Sequence, residues 1–150
     1  AFQDSGASWQ PQLAFGCGAE TAMSSHAVTV ILGDFNFRLD LPEDEPLPEG
    51  PPLSWLAHDQ LRKGCVYGLD GFVEGQIEFG PSYKHRVGTE DFDLKRHPAW
   101  CDRVLHRTSG ADVAIRSRLY DCLGALRHTS DHWPVVAELE VRRLRKGSSA

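Results

Sequence analysis

The hydrophobic positions of the chain fall in short runs, and most of these runs are typical of strands. Residues 28–32 (VTVIL) form a β-branched apolar run that Gly33 ends, which predicts a strand buried on both faces. Four further short strands are predicted from apolar runs and apolar/polar alternation: 76–79, 102–106, 112–120 and 134–141.

The segments between these runs predict little helix. Ser54 can cap a short helix that includes Leu61 and ends at Gly64. Residues 40–52 contain five prolines and five acidic residues, which predicts a solvated loop that could be shortened without harm to the core. Residues 1–25 lack a clear period and are predicted to be irregular, with one helical turn before residue 13.

Short strands with irregular connections and few helices predict an α/β or α+β sandwich. The 150 residues are enough for one domain with a buried core and too few for two. No window of 18 apolar residues occurs, so no membrane-spanning segment is predicted. The chain begins at Ala1 without a visible signal peptide, and we expect that it was processed or is part of a longer chain.

Charge and cysteine content narrow the classes of function. Sixteen Lys and Arg against 21 Asp and Glu give a net charge of −5, which disfavours a general nucleic-acid binder. The four cysteines form no CxxC pair, so a zinc site built on cysteine is not expected. Reduced thiols in a cytosolic protein are the favoured interpretation, and one or two disulfides in a secreted chain are the alternative.

Candidate chemistry is concentrated in three segments beside apolar runs, namely 33–38 (GDFNFR), 98–105 (PAWCDRVL) and 130–135 (SDHWPV). A carboxylate at a strand end, such as Asp34, can take a proton from water, and the amide of Asn36 can hold an oxygen of the reacting group. Asp102 is the candidate partner that orients the imidazole of His132. Each segment also has an ordinary interpretation: a turn at 34–36, a local ion pair at 102–103, and a surface histidine at 132.

Taken together and in this order, GDFNFRLD, PSYKH, HPAWCDRVL and SDHWPV resemble the signature motifs of the Mg²⁺-dependent inositol polyphosphate 5-phosphatases. This family belongs to the endonuclease/exonuclease/phosphatase superfamily, and the resemblance runs from about residue 26 to 141. It implies a DNase I-like fold, a two-sheet β-sandwich flanked by helices. It also implies catalytic roles for Asp34, Asn36, Asp102 and His132, and it puts Asp131 near the metal.

The resemblance further implies that Tyr83 and Lys84 contact the 4-phosphate of an inositol ring, with Lys95 and Arg96 completing that pocket. The charges agree with this, because residues 84–107 carry six Lys and Arg against four Asp and Glu in a chain that is acidic as a whole. Lys and Arg bind phosphate through charge-assisted hydrogen bonds.

A complete catalytic domain of this family is about twice as long as this chain, so we expect a single partial domain that forms the C-terminal half. The principal Mg²⁺ ligand, a Glu, is then expected upstream of the chain. The resemblance predicts hydrolysis of the 5-phosphate of a phosphoinositide or soluble inositol polyphosphate by direct attack of water. It also predicts a cytoplasmic protein that is recruited to membrane surfaces.

Two alternatives remain open on the sequence. A nuclease or sphingomyelinase of the same superfamily would use the same four catalytic residues but should lack the 4-phosphate pocket. A half-domain that binds inositides without turnover is the other alternative.

Overall fold

The computed structural model describes residues 12–13, 21–22 and 25–144. The strands are β1 (Gln12–Leu13), β2 (Thr21–Ala22), β3 (Val28–Asp34), β4 (Val73–Glu74), β5 (Asp102–Thr108), β6 (Val113–Cys122) and β7 (Val135–Arg143). Short 3₁₀ helices occupy Pro52–His58 and Gly124–Leu126, and the described residues contain no α-helix. The predicted helices that flank the sandwich are therefore absent from this part of the chain.

All strand pairs are antiparallel. One sheet has the order β3-β5-β4, a second consists of β6 and β7, and β1 pairs with β2. The β3–β5 register runs from Val28 opposite Thr108 to Asp34 opposite Asp102. The end of β3 and the start of β5 therefore lie side by side.

The main core lies between the first two sheets. Half-buried residues of β7, including Ala137 and Leu139, pack against a cluster of buried side chains. This cluster consists of Leu39, Trp55, Leu56, Ile77, Phe79, Trp100, Val104 and Tyr120. Because β5 and β6 both contribute to it, the two sheets share one apolar layer, as in a sandwich.

The strands predicted at 102–106, 112–120 and 134–141 are confirmed as β5, β6 and β7. The strand predicted at 76–79 is wrong, because the residues there alternate between buried and exposed but join no ladder. The sheet position beside β5 is filled by β4. The chain then passes so close to β6 that a Cβ on Gly75 would lie 2.6 Å from the Cβ of Tyr120.

Strand β3 differs from its prediction in two ways. It continues through Gly33, whose φ is 140°, to Asp34. It is not buried on both faces, since Val30 is 40% exposed and Leu32 is 70% exposed. Within the described residues β3 pairs only with β5, so it is an edge strand, and none of its residues is buried.

The helix predicted to be capped by Ser54 is also wrong. The 3₁₀ helix begins at Pro52, which suits a first helical turn because its φ is fixed and it needs no donor. Ser54 Oγ donates instead to the carbonyl of Pro51. The helix ends where Asp59 becomes extended and forms an isolated bridge with Leu39.

Residues 40–51 have no regular secondary structure, as predicted for the acidic, proline-rich loop. The expectation that this loop is dispensable is wrong, because Leu41 and Leu47 pack against the main core. The indole of Trp55 also donates to the carbonyl of Pro48 at 2.9 Å. The loop is therefore attached to the core at several points.

The prediction of irregular structure for residues 1–25 is incomplete, since Gln12–Leu13 pairs with Thr21–Ala22. The predicted helical turn before residue 13 lies outside the described residues. The described part of the chain has no helix that is long and apolar enough to span a membrane.

A buried ion cluster surrounds Arg103 of β5. The guanidinium of Arg103 is fully buried and contacts Asp59 Oδ2 at 2.9 Å and Glu74 Oε2 at 2.8 Å. Tyr120 Oη donates to Glu74 and accepts from the backbone N–H of Val104. Burial raises the pKa of Tyr120 to about 12, so its hydroxyl remains a donor. The cluster joins β4, β5 and β6 to the segment after the 3₁₀ helix.

Candidate active site

Backbone hydrogen bonds bring the motif segments together. The segment 81–85 lies between the segments 98–105 and 130–135. Tyr83 forms an isolated bridge with Ala99, and the N–H of Trp133 donates to the carbonyl of Ser82 at 2.8 Å. These contacts fix residues that are up to 51 positions apart in sequence, and they do so through backbone groups.

Strand pairing sets the position of the two predicted carboxylates. Asp34 ends β3 directly opposite Asp102, the first residue of β5. The pairing extends one step further, because the N–H of Phe35 donates to the carbonyl of Cys101 at 2.8 Å. The side chain of Asp34 is 48% exposed and that of Asp102 is 20% exposed. Asp34 is thus the more accessible of the two.

Asp102 holds the imidazole of His132. Its Oδ2 lies 2.9 Å from His132 Nδ1 and accepts a hydrogen bond from the fully buried Ser82 Oγ at 2.7 Å. A carboxylate only accepts, so the proton of the imidazole lies on Nδ1. The other nitrogen, Nε2, is then available to exchange a proton, and it lies 4.0 Å from Asp34 Oδ2. The structure therefore brings Asp34, Asp102 and His132 together.

Asn36 lies in a turn rather than in the strand. Its φ is 58°, and its N–H donates to Asp34 Oδ1 at 2.8 Å. This is the ordinary turn that the sequence offered as an alternative, and it also leaves the side chain of Asn36 exposed beside Asp34. The Oδ1 of Asn36 accepts a hydrogen bond from Arg38 Nη2.

Tyr83 is buried beside the imidazole. Its ring centroid lies 4.4 Å from that of His132, and the guanidinium carbon of Arg38 lies 4.7 Å from the same ring centroid. Tyr83 therefore packs against the side chains of both His132 and Arg38, and it directly precedes Lys84 in sequence.

The predicted 4-phosphate residues are only partly assembled. Lys84 Nζ lies 3.3 Å from Asp93 Oδ2 and 3.9 Å from Asp131 Oδ2. The N–H of Lys95, aided by the charge of Lys84, lowers the pKa of Asp93 below its ordinary value. Lys95 and Arg96 are exposed, and among the described residues no side-chain hydrogen bond, ion pair or ring contact joins Arg96 to the others. An acidic side chain thus lies among the predicted phosphate ligands.

Three side chains of the site lie close enough together to share a metal ion. One ligand atom from each of Asp34, Asp102 and His132 lies within 4.8 Å of the others. Mg²⁺ takes oxygen ligands and is usually held by one or two carboxylates, waters and substrate phosphates. Asp34 and Asp102 fit part of that set. Asp131, the predicted neighbour of the metal, is paired with Lys84 instead of joining this group, and its role as a ligand stays a prediction.

The cysteines within the described residues offer no nucleophile near these groups. Cys101 is buried, its Sγ lies 3.4 Å from the carbonyl of Phe37, and burial raises its pKa to about 12. Burial raises the pKa of Cys122 to about 12 as well. Both thiols are therefore protonated at neutral pH. Cys65, Cys101 and Cys122 are free, as predicted, and Cys17 lies outside the described residues.

Three further residues contact the site and were missed from the sequence: Arg38, Ser82 and Asp93. Arg38 and Ser82 lie inside the motifs GDFNFR and PSYK, so their position in sequence was a usable signal. Asp93 gave none, because its contact with Lys84 depends on how the loop from 84 to 93 folds back.

Comparisons with known proteins agree with this geometry. Residues 6–138 match the model of the endonuclease/exonuclease/phosphatase family 2. The chain belongs to this family. It is 38% identical over 128 residues to the type II inositol 1,4,5-trisphosphate 5-phosphatase of Mus musculus, an alignment that covers 79% of the chain and 12% of that protein. The resemblance to inositol polyphosphate 5-phosphatases is thus confirmed, and the chain spans a small part of this relative.

Solved structures show the same relationship. The inositol polyphosphate 5-phosphatase domain of SPsynaptojanin, in complex with inositol (1,4)-bisphosphate and a calcium ion, matches with a TM-score of 0.64 and 30% identity. The match covers 84% of this chain and 39% of that one. The chain therefore has the DNase I-like fold of these proteins over the matched region.

The chain is also similar to a protein with a different name. The nitrophorin of Cimex lectularius is 38% identical over 87 residues, which is 57% of this chain and 28% of that protein. A structure of a Cimex nitrophorin variant, described as a ferrous NO complex, matches with a TM-score of 0.66 at 25% identity. Because one fold hosts both kinds of protein, the function has to be argued from the site residues.

Proposed function

We propose that this chain supplies catalytic residues of a Mg²⁺-dependent phosphatase that removes the 5-phosphate of phosphoinositides or inositol polyphosphates. The observation that carries this proposal is the grouping of Asp34, Asp102 and His132, with Asp102 fixing Nδ1 of the imidazole at 2.9 Å. The relatives named as 5-phosphatases support the choice of substrate.

In this mechanism water attacks phosphorus and the bond from phosphorus to the inositol oxygen breaks. Asp34 accepts the proton of the water, Asn36 donates to a phosphoryl oxygen, and protonated His132 neutralises charge that develops on the phosphate. The leaving oxygen takes a proton from solvent and ends as an inositol hydroxyl, Asp34 returns its proton to solvent, and the other product is inorganic phosphate. No covalent phosphoenzyme forms, in agreement with the high pKa of the buried Cys101 thiol.

Magnesium would be held in part by Asp34 and Asp102, with further ligands from outside the described residues. The ion, when bound, would neutralise charge on the phosphate. The upstream Glu expected from the family motifs would then complete the protein ligands, and this chain alone would be poorly active.

Recognition of the ring would use Tyr83 and Lys84, with Lys95 and Arg96 nearby. Lys84 is only a quarter exposed and is paired with Asp93, so a 4-phosphate would have to replace that carboxylate as its partner. We also propose a cytoplasmic protein recruited to membranes, where a phosphoinositide substrate would be found. The free cysteines among the described residues support a reducing compartment.

The decisive experiment uses a chimera in which this chain replaces the matching part of the SPsynaptojanin 5-phosphatase domain. With Mg²⁺, the chimera should release phosphate from inositol 1,4,5-trisphosphate and none from inositol 1,4-bisphosphate, which has no 5-phosphate. His132→Ala should lower kcat by roughly 10²-fold or more. A folded chimera that binds the trisphosphate without turnover would instead favour the non-catalytic alternative. Turnover of apurinic DNA or sphingomyelin alone would favour the superfamily nuclease or sphingomyelinase.

A further inference from the structure

Arg38 contacts two parts of the site at once. Its Nη2 donates to Oδ1 of Asn36, and its guanidinium carbon lies 4.7 Å from the centroid of the Tyr83 ring. The ring of Tyr83 in turn lies 4.4 Å from that of His132. One cation therefore touches both the amide that we assign to a phosphoryl oxygen and the aromatic ring that supports the imidazole.

The backbone of Arg38 is fixed by a reciprocal pair of hydrogen bonds. Its N–H donates to Gln60 Oε1 at 2.9 Å, and the N–H of Gln60 donates to its carbonyl at 3.0 Å. Arg38 is half-buried, so its side chain leaves an anchored backbone and packs over Tyr83. This limits the positions that the guanidinium can reach.

The chemistry of the two groups determines how the amide of Asn36 is turned. A guanidinium can only donate hydrogen bonds, and of the two polar atoms of an asparagine amide only Oδ1 accepts. The contact with Arg38 therefore turns Oδ1 toward Arg38 and leaves both N–H groups of Nδ2 for another acceptor. The oxygens of a phosphate dianion only accept, so Nδ2 is the atom that such a group requires.

The backbone of Asn36 is already held by its hydrogen bond to Asp34 Oδ1. The remaining freedom is rotation of the amide, which without Arg38 could present Oδ1 to the phosphate and repel it. In addition, Nη1 of Arg38 is buried without a hydrogen-bond partner among the described residues. Because Nη1 is buried, Nη2 is the atom through which Arg38 acts on Asn36.

We infer that Arg38 is a positioning residue, which fixes the amide of Asn36 so that Nδ2 donates to the phosphoryl group. This inference rests on the proposed function, which assigns a phosphate to this site. Arg38 was not among the residues predicted from the sequence, and its role is separate from recognition of the ring by Tyr83 and Lys84.

The test uses the same chimera and inositol 1,4,5-trisphosphate without divalent metal, so that no turnover occurs. Arg38→Met should raise the dissociation constant roughly tenfold or more, as expected for a lost charged hydrogen bond. Arg38→Lys, which keeps a donor, should recover part of the affinity. Arg116→Met removes the same charge from an exposed position on β6 and should bind like the wild type.

A double-mutant cycle and an NMR measurement separate positioning from a general charge effect. In an Asn36→Ala background, Arg38→Met should change affinity by less than about twofold. In the ligand-free chimera, the side-chain amide signals of Asn36 should shift in Arg38→Met and less in Arg38→Lys. Equal losses with and without Asn36, or amide signals that do not respond, would overturn the inference while the proposed function stands. A wild-type chimera that binds no trisphosphate here and releases no phosphate with Mg²⁺ would overturn the proposed function, and with it the assignment of Arg38.

Discussion

His132 Nδ1 and Asp102 Oδ2 lie 2.9 Å apart although 30 positions separate the two residues in sequence. Asp102→Asn should lower kcat of the chimera by roughly 10²- to 10⁴-fold and leave KM nearly unchanged. The reason is that asparagine is neutral, so it no longer stabilises the positive charge of protonated His132. Initial rates of phosphate release from inositol 1,4,5-trisphosphate measure this.

The matched control for this prediction is Asp70→Asn, which removes an exposed carboxylate that makes no hydrogen bond or ion pair with a described residue. It should keep the wild-type rate. A kcat of Asp102→Asn within about twofold of the wild type would remove the orienting role of this carboxylate.

Lys84 and Asp93 allow recognition to be separated from chemistry. Lys84→Ala should raise KM for a substrate with a 4-phosphate and leave kcat nearly unchanged, because the charge acts on a group that does not react. Asp93→Asn should lower KM by roughly threefold, since it removes a carboxylate 3.3 Å from Lys84 Nζ that competes with the phosphate.

Both variants are compared on 5-phosphorylated substrates with and without the 4-phosphate. On the substrate that lacks it, both should behave like the wild type. If Lys84→Ala lowered kcat/KM equally on the two substrates, the lysine would have a structural or catalytic role and the proposed 4-phosphate pocket would be wrong.

The buried guanidinium of Arg103 should matter for stability. Arg103→Met should lower the free energy of unfolding by about 3–5 kcal/mol, because it leaves the fully buried carboxylate of Asp59 and that of Glu74 without a cation. Urea unfolding followed by tryptophan fluorescence measures the loss. If this variant does not fold, Asp59→Asn, which keeps an acceptor oxygen, should still fold with a smaller loss.

Lys63→Met is the control for the buried cluster. It breaks the exposed pair of Lys63 with Asp40 and should leave the urea midpoint unchanged within error. If Lys63→Met and Arg103→Met lowered the free energy of unfolding equally, burial would not be the reason for the contribution of Arg103.

The buried imidazole of His85 should make stability depend on pH. Burial lowers its pKa from the ordinary value of 6.5, so the folded chain keeps the ring neutral to lower pH than the unfolded chain does. The unfolded state therefore binds more protons below about 6.5, and the free energy of unfolding falls as the pH is lowered from there toward the folded pKa. Above that value this contribution is constant.

His85→Phe should reduce the slope of stability against pH below about 6.5, while the buried His106, whose pKa burial also lowers, keeps part of it. Trp133→Phe is the control, because it alters the ring that stacks on His85 at a centroid distance of 3.8 Å and changes no titrating group. It should lower stability by a similar amount at every pH. Identical slopes for His85→Phe and the wild type would contradict the prediction.

The sequence was sufficient for the parts of the fold that depend on local alternation. Strands β5, β6 and β7 were predicted because their side chains alternate or form clear apolar runs. The burial of β3 was not predicted correctly, because an apolar run does not show whether other elements cover one face of a strand or both. The exposure of Leu32 depends on which elements pack against the strand. Ser54 failed as a cap because Pro51 and Pro52 start the turn earlier.

For the site, motif chemistry predicted Asp102 as the partner of His132, and the two side chains do meet. The state of Lys84 could not be predicted, because its pairing with Asp93 depends on a loop that returns to contact its own start. Arg38 was missed for another reason. Arginine after a turn is usually solvated, and only the packing of Tyr83 beneath it shows otherwise.

The pairing of Asp34 with Asp102 across β3 and β5 has a consequence for tolerated sequence change. Side chains alternate along a strand, so deletion of one residue within β5 would exchange the directions of Asp102 and Arg103. The carboxylate would then lose its contact with His132, and the guanidinium would lose its contacts with Asp59 and Glu74. In a library of single-residue deletions selected for activity, variants with deletions in β3 and β5 should therefore be lost, even at positions where substitutions survive. A substitution keeps the alternation of side chains along the strand, whereas a deletion reverses it.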